Sequence, residues 1–224
     1  MGRSYGQYCG LARALDVVGD RWNLLIVRQL LVAPARYREL LDGLPGVATN
    51  LLADRLRDLE TAGVVERRLA EEGNAIVYAL TPWGAELREP VEGLIRWSTP
   101  LMARGPGDDR FRVEWLALAL PALFAGKKAA HRSSTVGIAV DGQLLQVRAT
   151  RSGIEVSPHD GRDLDAVVHA DPAIVLGLAA GALTLDDTPG LVDIDGDEAA
   201  VRAIFNARRA DSARPSASTS SGSA

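Results

Sequence analysis

Asn50, Asp54, Arg57 and Thr61 recur at helical spacing within residues 46–61, and Leu52, Leu56 and Leu59 recur at the same period on the other side. The polar set has a definite chemistry. An asparagine amide pairs bidentately with adenine, and an aspartate accepts from cytosine N4. Arginine neutralises phosphate, the role open to Arg57 and to Arg55 unless Arg55 pairs with a neighbouring acid. Thr49 and Asn50 stand at the start of the helix, where backbone N–H groups also meet phosphate. Thr49 is expected as its N-cap and Gly63 as its C-terminal stop. Arg67 and Arg68 follow at the base of a hairpin, and Asn74 lies near its tip. The plain alternative is a solvated face on an amphipathic helix, and the surrounding elements decide between the two.

Other chemistry-bearing groups are sparse. Cys9 is the single cysteine. A thiol near a helix N-terminus, with Arg13 one turn on, meets a condition for reactivity, although free cysteines are also commonly just buried. Asp193-x-Asp195-Gly196-Asp197 looks like a calcium loop, but its glycine is misplaced and the twelfth position is Ile204. Gly126-Lys127-Lys128 lacks the flanking residues of a phosphate-binding loop. His131, His159 and His169 are too far apart for a local metal motif, with convergence in space as the alternative. No metal site, cofactor or nucleophile–base–acid set is found, so an enzyme is not expected.

The elements around the polar helix follow from the pattern. A helix over residues 20–31 turns Trp22, Leu25, Ile26 and Leu30 inward and stops before Pro34. A short helix begins at Tyr37 and closes at Leu44-Pro45-Gly46. Residues 64–69 and 76–80 alternate as a hairpin, and Thr81-Pro82 opens a further helix as N-cap and first residue. Three helices and a hairpin make a winged helix-turn-helix, in which the third helix enters the major groove.

Residues 9–97 resemble the HxlR family of bacterial winged-helix regulators. The segments that carry the likeness begin with Cys9-Gly10-Leu11-Ala12-Arg13-Ala14-Leu15, Val18-Gly19-Asp20-Arg21-Trp22 and Tyr37-Arg38-Glu39-Leu40. They continue with Leu52-Ala53-Asp54-Arg55-Leu56-Arg57-Asp58-Leu59-Glu60 and Tyr78-Ala79-Leu80-Thr81. The resemblance implies a homodimer, joined through the first and last helices of the domain, on a two-fold symmetric operator. Leu11, Leu15, Leu94, Ile95 and Trp97 are then expected between protomers. Cys9 matches the cysteine that serves some relatives as a thiol sensor. The wing departs from the family. Ala75-Ile76-Val77 replaces its usual basic residue, and Glu71 and Glu72 at the tip oppose deep insertion beside phosphates.

Bulk properties fit a globular protein of one or two domains: 224 residues, 47% hydrophobic, net charge −4. Residues 1–104 hold 13 Arg against 13 Asp plus Glu, and the remainder 12 basic against 16 acidic residues. DNA binding must then come from a local basic patch and not a bulk field. No apolar run has transmembrane length, and polar residues follow Met1, so a cytoplasmic protein without membrane association is expected.

The second half starts after a linker at Gly105-Pro106-Gly107-Asp108-Asp109. Residues 113–124 form a helix that is apolar nearly all round and so is buried. Strands are expected over 135–140, 143–149, 153–157, 165–170 and 191–194, with Asp141-Gly142 as a hairpin turn. Asp171-Pro172 caps a helix to Ala180, and Asp197 caps a last one to about Arg209. The order resembles a sterol-carrier-like lipid-binding domain, carried by the strand–Asp171-Pro172–helix unit, Gly181 and Leu183, and residues 191–197. The resemblance implies an apolar ligand under the helices. Trp115, Leu118 and Phe124 are the lining candidates, with plain core packing as the alternative.

The chain is thus expected to be α+β: a winged-helix DNA-binding and dimerisation domain over 1–104, a five-stranded sterol-carrier-like ligand domain over 110–209, and a disordered Ser/Ala/Gly-rich tail over 210–224. The expected function is a transcriptional regulator that binds a double-stranded operator as a homodimer and senses an apolar small molecule. An apolar-ligand carrier with vestigial DNA binding, and a thiol-sensing repressor acting through Cys9, are the alternatives.

Overall fold

The computed structural model describes residues 4–70, 74–104, 107–128, 133–151 and 153–209. Glu71, Glu72, His131 and the 210–224 tail, each the subject of an expectation, lie outside the described residues.

Helices α1 (Gly10–Val18), α2 (Asn23–Val32), α3 (Tyr37–Gly43) and α4 (Thr49–Thr61) come first. The hairpin β1 (Val65–Leu69) and β2 (Ile76–Leu80) follows, then α5 (Pro82–Ala85) and α6 (Arg88–Ser98). Val65 faces Leu80 and Leu69 faces Ile76, and Ala35 adds an antiparallel bridge to Tyr78, so the hairpin is tied back to the segment before α3. Ile26, Leu30, Leu40, Leu52, Leu56 and Leu59 form the core beneath it. Thr81 caps α5 as expected: its hydroxyl accepts from Gly84 N–H at 3.0 Å. Thr49 does not cap α4. It is already helical, and the extended Ala48 occupies the cap position.

A 3-10 turn (Val113–Trp115) leads into α7 (Leu116–Phe124). Beyond it come β3 (Lys127–Lys128), β4 (Ser134–Val140), β5 (Gln143–Ala149), β6 (Ile154–Pro158), β7 (Ala166–Ala170), α8 (Pro172–Ala180), β8 (Val192–Gly196), α9 (Glu198–Phe205) and β9 (Arg208–Arg209). The five-stranded sheet has the order β6-β5-β4-β7-β8, with β4 and β7 parallel and every other pair antiparallel. Asp141 (φ 48°) and Gly142 (φ 76°) make the tight β4–β5 turn, whose two left-handed residues match the strand twist. Val136, Ile138, Val147, Ala166 and Val168 share one face of the sheet, and α7, α8 and α9 cover it. The last helix stops at Phe205, earlier than its sequence pattern implies, because Arg208–Arg209 pairs with Lys127–Lys128 instead. Asp197 caps it through Ala199 N–H at 2.9 Å, while Asp171 occupies the α8 cap position without a side-chain bond.

Helix α7 belongs to both cores. Leu116, Leu120, Leu123 and Phe124 pack under the sheet. Leu118 packs with the winged-helix core, and Ile95 of α6 touches both clusters. This explains a helix that is apolar on all sides: one side meets the sheet's helices, the other meets α2 and α6.

Candidate nucleic-acid interface

Helix α4 is held from three directions. Leu52, Leu56 and Leu59 are fully buried beneath it. At its end Gly63 adopts φ 76°, which lets Val64 N–H bond Leu59 C=O at 2.9 Å and Gly63 N–H bond Glu60 C=O at 3.0 Å. This paired stop satisfies two terminal carbonyls and turns the chain into β1. At its start the Tyr37 hydroxyl donates to Thr49 C=O at 2.7 Å, fixing α3 against the first turn.

The residues expected to contact DNA are distributed as follows. Thr49, Asn50, Asp54 and Arg57 are exposed. Arg57 pairs with Asp54 at 3.0 Å, so the pair presents little net charge. Arg55 is turned aside. It pairs with Asp20 and, at 3.1 Å, with Asp58, and thereby ties α4 to the turn before α2. Arg67 is bonded to Glu60 at 2.6 Å, while its neighbour Arg68 is exposed and makes no ion pair among the described residues. Burial, and then the Glu60 carboxylate, push the nearby Tyr78 phenol up from its ordinary value. Asn74 is exposed beside the wing tip. Two further cations were not singled out from the sequence. Arg36 and Arg38 are exposed, lack ion pairs among the described residues, and flank Tyr37. The Arg-Tyr-Arg triplet was the available signal.

Cys9 is exposed at the N-terminus of α1. Backbone N–H groups of Ala12, and then Leu11, hold its thiol below the ordinary value. Arg13 does not face it alone, because it pairs with Asp16 at 3.6 Å. Leu11 and Leu15 of α1 are exposed, as are Leu94 and Trp97 of α6 and Leu101 and Met102 beyond it. Ile95, expected on that same surface, points the other way, into the junction of the two cores.

The three residues expected to line a ligand cavity occupy different surroundings. Phe124 is fully buried against Phe205, ring centres 5.9 Å apart. Leu118 is buried toward the winged helix. Trp115 sits at the seam between the two halves: its indole N–H donates to Gln29 Oε1 at 2.8 Å, and the Arg28 guanidinium lies 4.0 Å from its ring centre. Arg112 also crosses the seam, donating to Asp42 C=O at 2.7 Å. Among the described residues no group of three His, Cys, Asp or Glu side chains is placed to hold a metal ion, and no helix is long and apolar enough to cross a membrane.

Comparison with known proteins finds relatives of the first half of the chain. The family described as HxlR-like helix-turn-helix matches residues 17–105. The HTH-type transcriptional regulator YodB of Bacillus subtilis (strain 168) is 33% identical over 96 residues, 42% of this chain and 84% of YodB. The chain belongs to the HxlR-like family. An uncharacterised HTH-type transcriptional regulator of Synechocystis, sll1512, is 36% identical over 84 residues, 37% of this chain and 62% of its own length. A solved structure of quinone-bound YodB from B. subtilis is 30% identical, covering 40% of this chain and 96% of that one, with a TM-score of 0.36. The HxlR-like match runs from the end of α1 through α6 to residue 105 and stops before the five-stranded sheet.

Proposed function

We propose that this HxlR-like protein is a DNA-binding transcriptional regulator whose second half answers to a small molecule. The relatives named above are transcriptional regulators, which supports the first clause. In this reading Asn50 and Asp54 meet base edges in the major groove, and Thr49 and Arg57 meet phosphate or base. Arg68, Arg36 and Arg38 supply phosphate contacts, and Asn74 touches the flanking groove. Arg55 and Arg67 act one step back, as braces that hold α4 and the wing. The exposed apolar surfaces of α1 and α6 are the dimer faces, which places two copies of α4 on a symmetric operator.

The observation that carries the second clause is α7. One helix completes both apolar cores, so a ligand that shifts it changes the packing behind α2 and α6. Helices over one face of a five-stranded sheet also suit a sterol-carrier-like domain. Selection of bound duplexes from a random pool by the full chain tests the reading. A two-fold symmetric consensus is expected, and the absence of any enriched sequence contradicts it and favours a carrier.

One observation favours a second reading. Cys9 is exposed with a depressed thiol pKa, as thiol-based control requires. If Cys9 is the sensor, Cys9→Ser retains operator binding and loses its response to a quinone.

A further inference from the structure

A groove of about 570 Å³ opens at the seam between the two halves. Its walls include Trp22, Leu25 and Arg28 from the α2 side, Leu44 and Gly46 from the turn before α4, and Trp115 from the second half. That volume suits a small organic molecule. Trp22 and Leu25 belong to the stripe expected to face inward, yet both remain only partly buried, as does Trp115.

Arg28 is the one partly buried charge of the groove, since Arg110, Asp108 and Asp109 are exposed. The Arg28 Nε is buried without a hydrogen-bond partner, and no carboxylate pairs with its guanidinium among the described residues. Its one strong contact is the face of Trp115. Arg112 is near enough to repel it. Arg112 itself is satisfied, by Glu114 at 3.3 Å and the Asp42 carbonyl at 2.7 Å. Burial, and then Arg112, push the Arg28 guanidinium down to about 10. A largely desolvated guanidinium whose buried Nε–H lacks an acceptor is costly and is matched best by a planar anion. The acids of the groove, Asp108 and Asp109, are exposed at its edge beside Arg110. They disfavour a second anionic group there and accept from a hydroxyl or amide.

We propose that this seam groove is a binding site for a small aromatic monocarboxylate, with the carboxylate on Arg28 and the ring among Trp22, Leu25 and Trp115. The proposal gives the proposed effector a location and a chemical class, and it rests on the regulator reading only for the link to DNA. That link is short: Gly46 lines the groove, Ala48 is the cap of α4, and Thr49 begins the helix.

Titration calorimetry on the full chain without DNA tests the site apart from the regulator reading. The probes are 2-naphthoate and its neutral isostere 2-naphthamide. Saturable binding of the acid is expected, with the amide ~10-fold weaker or more, since it forfeits the charge-assisted pair. Arg28→Met is expected to erase the preference. Equal binding of acid and amide overturns the proposal, and so does the absence of saturable binding of naphthoate up to millimolar concentration. Because acid and amide are compared on the unaltered protein, the result stands even if Arg28→Met fails to fold. A separate operator titration with naphthoate present reports whether the site is linked to DNA.

Discussion

The indole N–H of Trp115 donates to the side-chain oxygen of Gln29 at 2.8 Å, across a sequence separation of 86 residues. Gln29 is held in turn by its neighbours, because its amide lies where a side chain on Gly43 would have to go. A polar bond and a packed glycine thus join α2, α3 and the lead-in to α7. The second half is attached directly behind the helix-turn-helix, not tethered at a distance.

This joint makes a prediction for Trp115→Phe. The substitution keeps the ring and leaves Gln29 without its donor, so it should cost ~1 kcal/mol, the usual net value of such a bond. Urea denaturation checks it. A double-mutant cycle with Gln29→Leu should show a coupling of similar size, and independent effects would mean the bond contributes nothing.

A larger effect is expected one turn on. Leu118 is 1% exposed and packs in the winged-helix core, although it belongs to the second half of the sequence. Leu118→Ala should destabilise by ~2–5 kcal/mol. Because α7 is shared, calorimetry should show one cooperative transition that moves as a whole. Two transitions, with only the second displaced, would show that the halves unfold separately.

Much of this architecture was legible before the structure. The Asp141-Gly142 turn, the Gly63 stop and the Thr81-Pro82 start depend on backbone geometry that few residues provide, so composition alone places them. Strand faces were legible because alternation marks which side is buried. The seam was not. Leu118, Ile95 and Trp115 are simply apolar in the sequence, and apolarity does not say which of two cores a side chain joins. Arg55 shows the same limit at the interface. Its type suits phosphate, and only the positions of Asp20 and Asp58 turn it into a brace. Thr49 has a residue type that favours the cap, yet the chain reaches helical geometry one residue sooner, at Thr49 itself.

Assembly offers a third prediction. Leu11, Leu15, Leu94 and Trp97 are exposed apolar residues on α1 and α6, and Trp97 is 75% exposed in the single chain. The protein should sediment as a dimer at micromolar concentration. Trp97→Ala should shift it toward monomer, by the ~3–5 kcal/mol typical of truncating a well-packed aromatic. A monomeric wild type would remove α1 and α6 as a dimer face.

Cys9 gives a pH-dependent prediction. Because N–H groups at the start of α1 favour the charged form, the thiolate persists to lower pH than in a free cysteine. Iodoacetamide labelling should therefore rise with pH and reach half its plateau below the midpoint of a Cys-containing model peptide. A midpoint at or above that of the peptide would remove the basis for thiol sensing.

The central claim is that α4 reads DNA, and salt-dependent binding to the selected operator tests it most directly. Fluorescence anisotropy would follow the wild type, Asn50→Ala and Arg57→Ala across a range of salt concentrations. Asn50→Ala should lose discrimination at one base pair per half-site, ~1–3 kcal/mol, with the salt slope unchanged. Arg57→Ala removes a cation and also releases Asp54, so it should weaken all sequences and flatten the slope by about one unit. Equal affinities and equal slopes for all three proteins would contradict the account.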